Sequence, residues 1–131
     1  MHGYVTNLEQ AAEDNTSFRR VLYTAKLSQL VLMHLKPKEE IGMETHKLDQ
    51  FVRIESGNGV AILDGIQHPV ESGTGVVIPA GVTHNIVNVS PLEALKLYTV
   101  YTPPAHADGT VIPSKAEDKA FVEDFNGHAS D

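Results

Sequence analysis

Residues 73–88 read GTGVVIPAGVTHNIVN, and their punctuation decides what the chain can build. Val76, Val77 and Ile78 form a short β-branched run, and Pro79-Ala80-Gly81 is a turn. The residues after it, THNIVNVS, read as a second strand. His84 therefore stands just past a tight turn, where a strand re-enters a sheet.

The same rhythm extends outward in both directions. SFRRVLYTAK (17–26), SQLVLMHLKP (28–37) and LKLYTVYTPP (95–104) are rich in Val, Leu and Tyr at a period near two, the period of strands that bury one face. QFVRIESGNGVAILDGIQHPV (50–70) carries two turn signals of the hairpin kind, Gly57-Asn58-Gly59 and Asp64-Gly65. Such closely spaced short strands predict an all-β sandwich or barrel. Two stretches read as helix: LEQAAED (8–14), and the segment after Ser114, where Ser114 and Glu117 have capping-box spacing before DKAF. Both flank the strand-rich middle, so residues 1–131 read as one domain with its core at about 18–103 and a C-terminal tail at 114–131. The last residues, NGHASD, are small and polar and are expected to fray.

Composition removes whole classes of function. The chain has no cysteine, which excludes disulfides, thiolate catalysis and thiolate metal sites, so a metal here must rest on His, carboxylate or amide donors. Seventeen acidic residues against ten basic ones disfavour nucleic acid and anionic membranes as partners and leave a small molecule or another protein. No apolar run approaches the length of a membrane span, and MHGYVTNLEQ lacks the flank and centre of a signal peptide. The expectation is a soluble, cytoplasmic protein.

GMETHKLDQ (42–50) pairs with the opening stretch. In an extended chain residues i and i+2 share a face, so Glu44 and His46 point into one space while Thr45 points away. Lys47, Leu48 and Asp49 then turn the chain, and Gln50 opens a strand whose amide oxygen can reach the same point. His84, arriving from far along the chain, completes two imidazoles and a carboxylate. Of the other histidines, His34 reads as a hydrogen-bonded sheet residue. His68 and His106 read as exposed turn residues, with His106 keeping some chance of reaching a barrel mouth, and His2 and His128 have no role.

The motifs resemble those of the cupin family. Gly73, Pro79, Gly81, His84 and Asn88 occupy every fixed position of the second cupin motif, and the first is present in altered form. In the first, His46 and Gly57 match, Lys38 stands for a Gly, Glu44 for a His and Gln50 for a Glu. The fifteen residues between the motifs, 58–72, are similar to the spacing of small microbial cupins. The resemblance implies a double-stranded β-helix, or jelly-roll, barrel with one divalent metal near its mouth, held by Glu44, His46, Gln50 and His84. A carboxylate in place of an imidazole favours Fe or Mn, with Zn or Ni as further options. Without Gln50, two histidines and one carboxylate remain, the set used by non-haem Fe(II) oxygenases.

Substrate contacts are placed by alternation. With Gln50 inward, Val52 and Ile54 line an apolar floor and Phe51 and Arg53 face out. Tyr98 and Tyr101 are three apart, so at most one lines the barrel. Arg20 is the remaining basic candidate, and no inward Lys or Arg is otherwise evident. The resemblance implies a homodimer and a small-molecule substrate. The implied activity is either Fe(II) dioxygenase-like or that of a metal-dependent isomerase similar to sugar-phosphate isomerases; the alternative is a binding or sensing module without turnover.

Overall fold

A computed structural model describes residues 2–118 and 124–130. Nine strands and two short helices are formed: α1 Leu8–Asp14, β1 Arg19–Thr24, β2 Gln29–Leu35, β3 Asp49–Ser56, β4 Asn58–Leu63, β5 Ile66–Glu71, β6 Gly75–Ile78, β7 His84–Asn88, β8 Leu95–Thr102, β9 Val111–Ile112 and α2 Lys115–Asp118. They make two antiparallel sheets, one of order β6-β3-β8-β2-β1-β9 and one of order β5-β4-β7. The all-β, jelly-roll expectation with short peripheral helices is met. Among the described residues no helix is long and apolar enough to cross a membrane.

Strand alternation builds the core. On β8, Leu95, Leu97, Thr99 and Tyr101 are buried while the residues between them are not. Register then stacks these positions into layers across the large sheet. Met33, Leu97 and Ile54 form one layer, Val31, Thr99 and Val52 the next, and Gln29, Tyr101 and Gln50 the third. The interior thus changes from apolar to polar along the barrel. Val31, Val52, Ile54, Leu95 and Leu97 are fully buried, each contributing roughly 1.5–3 kcal/mol over an exposed position. The polar third layer marks the end at which a site can be built.

Turn chemistry explains the connections. Asp64 and Gly65 both have positive φ, 50° and 79°, as a two-residue type I′ hairpin requires, and Leu63 pairs with Ile66 across it. Gly57 behaves differently from the expectation. β3 and β4 do not pair with each other; they belong to different sheets. Gly57 is a corner, with φ of 95° and a backbone so close to Ala94 that a Cβ would meet its carbonyl oxygen at 2.5 Å. The same glycine-rich signal thus serves a strand that switches sheets.

The termini depart from expectation as well. α1 forms over the expected residues, its N-terminus closed by the Asn7 side chain accepting from Gln10 N–H at 3.1 Å. α2 is formed over Lys115–Asp118; the rest of the helix expected over DKAF, beyond Asp118, lies outside the described residues. The large sheet extends past residue 103, because β9 pairs with β1 through Arg19 and Arg20. NGHASD is tied down rather than frayed in its described part. Ser130 N–H donates to the Thr24 carbonyl at 2.7 Å, and its hydroxyl both accepts from Thr24 N–H at 2.8 Å and donates to Asp108 at 2.6 Å.

Asn88 closes the small sheet. Its buried amide donates to the carbonyls of Leu35, Lys36 and Glu93 at 2.8–3.1 Å and accepts from Ser90 N–H at 3.0 Å. Asn88→Ala leaves these groups unpaired, and we expect it to destabilise the fold by about 2–4 kcal/mol in urea unfolding. A variant within about 0.5 kcal/mol of wild type would show that water replaces the amide.

Candidate metal centre

The segment before β3 runs beside β7 without forming a regular strand. It pairs with β7 through isolated bridges, Glu40 to Val87 and Glu44 to His84, and regular strand resumes at Asp49, one residue before the Gln50 expected to open it. Glu44 N–H donates to the His84 carbonyl at 2.9 Å and His84 N–H donates to the Glu44 carbonyl at 2.8 Å. That reciprocal pair makes the two residues direct cross-strand neighbours, with side chains on one face. Alternation then brings His46 to the same face: residues 44, 46 and 48 are half-buried and 43, 45, 47 and 49 exposed.

The turn at 79–82 holds the other side. Val82 N–H donates to the Pro79 carbonyl at 3.2 Å, and Gly81 has φ of 87° while Ala80 does not have positive φ, the signature of a type II turn. Gly81 N–H donates in turn to the His46 carbonyl at 2.8 Å, and Asp49 accepts from Ala80 N–H at 2.9 Å. The Pro-Ala-Gly turn therefore grips the chain at His46 and just after it at Asp49.

Glu44, His46 and His84 each present one donor atom, all within 4.8 Å of one another. The Glu44 carboxylate lies 2.6 Å from His46 Nε2, and the two imidazole rings are 5.2 Å apart. His84 Nδ1 lies 2.9 Å from the Val82 carbonyl. Since a carbonyl only accepts, the neutral ring carries its proton on Nδ1 and offers its lone pair at Nε2. Burial pushes the Glu44 carboxyl up, but its hydrogen bond to His46 and the charges of His46, Arg19 and His84 outweigh this and hold it below the usual value. A carboxylate kept ionised beside two imidazoles is a donor set that fits a divalent cation.

Gln50 is buried on the inner face, with Nε2 donating to Thr99 Oγ1 at 3.0 Å. Its Oε1 is sealed from solvent and has no hydrogen-bond partner, which leaves an acceptor that costs stability unless something binds it. Gln50 thus faces inward, as expected, with its amide oxygen unpartnered.

Other candidates fall elsewhere. Tyr101 is the tyrosine that lines the barrel, its ring 6.3 Å from that of His46, whereas Tyr98 faces out and hydrogen-bonds Arg53. Arg20 is exposed and reaches Ser17 at 3.3 Å. The inward arginine is its neighbour Arg19, 6% exposed, because β1 begins its alternation on that residue. Arg19 bonds the Tyr101 hydroxyl and forms an ion pair with Asp118. His34 bonds the Asn15 carbonyl at 3.1 Å, and His68 is exposed, though on β5 rather than in a turn.

His106 corrects the reading of an exposed turn residue. Gln29, fully buried, accepts from the N–H groups of Ala105 and His106 at 3.1 and 3.0 Å and donates to the His106 carbonyl at 2.8 Å. This clamp turns the imidazole inward against Tyr101, ring centres 5.2 Å apart. An inward glutamine at the start of β2 was the available signal. Burial, reinforced by Arg19, pushes the His106 imidazole down to about 3, and burial pushes the Tyr101 phenol up to about 12. Both groups are neutral across the physiological range.

Residues 31–101 match the Cupin_2 family, described as a cupin domain. The chain is a cupin. It is 40% identical over 121 residues to YrkC of Bacillus subtilis strain 168, covering 87% of this chain and 64% of that protein. It therefore spans just under two thirds of that relative's length. It is 43% identical over 112 residues to L612 of Acanthamoeba polyphaga mimivirus, covering 82% of this chain and 70% of that protein. The crystal structure of BH2720 from Bacillus halodurans superposes with a TM-score of 0.88 at 38% identity, covering 92% of this chain and 98% of that one. None of these names carries an activity, so the cupin's chemistry must be argued from its site.

His106 yields a pH prediction. The folded imidazole stays neutral to about 3, while in the unfolded chain it takes up its proton near 6.5. Its contribution is full above that value and is lost as pH falls toward 3, by up to about 1.4 kcal/mol per unit. His106→Phe should flatten the stability curve between about pH 6.5 and pH 4. An unchanged slope in urea titrations would contradict the buried, neutral assignment.

Proposed function

We propose that this cupin is a metal-dependent enzyme of the Fe(II) dioxygenase-like kind, acting on a small oxygen-rich molecule in the cytoplasm. The observation that carries this reading is the convergence of Glu44, His46 and His84, two imidazoles and one carboxylate, the facial donor set that leaves positions open for substrate and dioxygen. Gln50 Oε1 adds a weak neutral donor, so ligand charge stays low and exchange remains possible. When bound, Fe(II) supplies dioxygen activation; Mn(II) in the same place supplies Lewis-acid polarisation.

The chain's own residues do the rest. The Val82 carbonyl holds His84 in the tautomer that presents Nε2. Tyr101 and the neutral His106 wall the centre with rings and exclude water. The isomerase reading gains an inward cation in Arg19, yet it needs a proton carrier matched to neutral pH. His106 at about 3 and Tyr101 at about 12 are far from that range, which favours the oxidative reading. Leu30, Val100, Phe51 and Val77 pair in register into one apolar row across β2, β8, β3 and β6, none of them fully buried, which supports a homodimer as the resting assembly.

Anaerobically purified wild type should carry stoichiometric metal with iron foremost, and Glu44→Ala and His84→Ala should retain little. Equal metal in all three would leave a binding or sensing module as the better account. Oxygen uptake stimulated by an enol or diketone would support the oxidative reading, and uptake indifferent to every substrate would count against it. Gln50→Glu restores a charged donor and should slow metal loss to a chelator about tenfold; an unchanged rate would place Gln50 outside the coordination shell.

A further inference from the structure

Four buried side-chain atoms among the described residues have no hydrogen-bond partner: Arg19 Nε, Gln50 Oε1, His106 Nε2 and Glu55 Oε1. The last faces the Arg53 guanidinium at 3.2 Å. The other three belong to the polar end of the barrel around Tyr101, which bonds Arg19, stacks edge-on with His106 and pairs in register with Gln50. Gln50 Oε1 is accounted for by the metal centre. Arg19 Nε and His106 Nε2 are not, and native interiors rarely leave such groups unmatched.

Arg19 is held in an unusual way. Its side chain is 7% exposed, and one Nη faces Asp118, the last residue of α2, which is 28% exposed. None of the described residues of α2 is buried. The carboxylate that neutralises this buried guanidinium uses one part of a fork built to take two oxygens.

We propose that Arg19, flanked by Tyr101 and His106, anchors the carboxylate of a small organic acid on its unpartnered Nε edge, and that Asp118, held on the opposite Nη, competes with that acid for the charge of the guanidinium. The incoming carboxylate takes the Nε–H and Nη–H edge of Arg19 in a bidentate pair, and the Tyr101 hydroxyl donates to it. His106 completes the ring of partners through its unpartnered Nε2. The planar fork of a guanidinium matches a planar carboxylate in a bidentate pair. Tyr101 links this subsite to the candidate metal centre, its ring 5.2 Å from that of His106 and 6.3 Å from that of His46, so a short acid held here extends toward Glu44, His46 and His84. In this the proposal deepens the metalloenzyme reading and rests on it for turnover; the anion subsite itself needs no metal.

Calorimetric titration of the full chain, as purified and after chelator dialysis, with oxalate, malonate, succinate and the neutral malonamide tests this. We expect at least one dicarboxylate to saturate both forms and malonamide to fail. Arg19→Lys keeps the charge but loses the fork, and should weaken that binding about tenfold. Asp118→Asn removes the internal competitor and should tighten it severalfold, which keeps the test decisive if Arg19→Lys does not fold. Malonamide binding as well as malonate, no dicarboxylate binding, or weaker binding in Asp118→Asn would each overturn the proposal. Acid binding by a chain that never retains metal would uphold the anchor and end the metalloenzyme reading; retained metal without acid binding would do the reverse.

Discussion

The reciprocal backbone pair between Glu44 and His84, at 2.9 and 2.8 Å, is the constraint on which the site depends. It joins two residues forty positions apart in sequence and fixes their side chains on the same face. Because side chains alternate with a period of two, a slip of one residue would turn Glu44 outward and present Met43 or Thr45 instead. The Pro79-Ala80-Gly81 turn guards against that slip by binding His46 on one side and Asp49 on the other. The donor set follows from the register.

Around this constraint the barrel divides its interior by chemistry. Leucine, isoleucine and valine fill the layers that supply stability, and polar residues are confined to the layer of Gln29, Tyr101 and Gln50. Most of those polar groups are matched internally. Gln29 is matched by the backbone at 105–106, and Gln50 Nε2 by Thr99. What stays unmatched among the described residues there is Gln50 Oε1, Arg19 Nε and His106 Nε2, all on residues next to Tyr101. Such selective under-satisfaction is the pattern of a ligand site within an otherwise satisfied core.

Much of this was legible in the sequence, and the reasons differ residue by residue. Glu44, His46 and His84 were readable because a period of two and a Pro-Gly turn fix direction without knowledge of the partner strand. Asp64-Gly65 was readable because both residues demand positive φ. Gly57 was not, since the same left-handed signal serves hairpins and corners, and only the Ala94 carbonyl opposite it decides between them. Arg19 and Arg20 are adjacent, and the choice between them depends on where β1 begins its pairing with β2, which sequence leaves open. His106 was hidden because its orientation comes from Gln29, seventy-seven residues away, a contact with no local trace. Even the departures from the family pattern keep its geometry: Lys38, standing where the motif has Gly, adopts φ of 68°.

Anomalous diffraction at the iron edge from crystals of the anaerobically purified protein tests the central claim most directly. The account predicts a single peak within coordination distance of the Glu44 carboxylate, His46 Nε2 and His84 Nε2, about 2.0–2.2 Å from each. A peak elsewhere in the barrel, or a peak that leaves His84 Nε2 unligated, would contradict it.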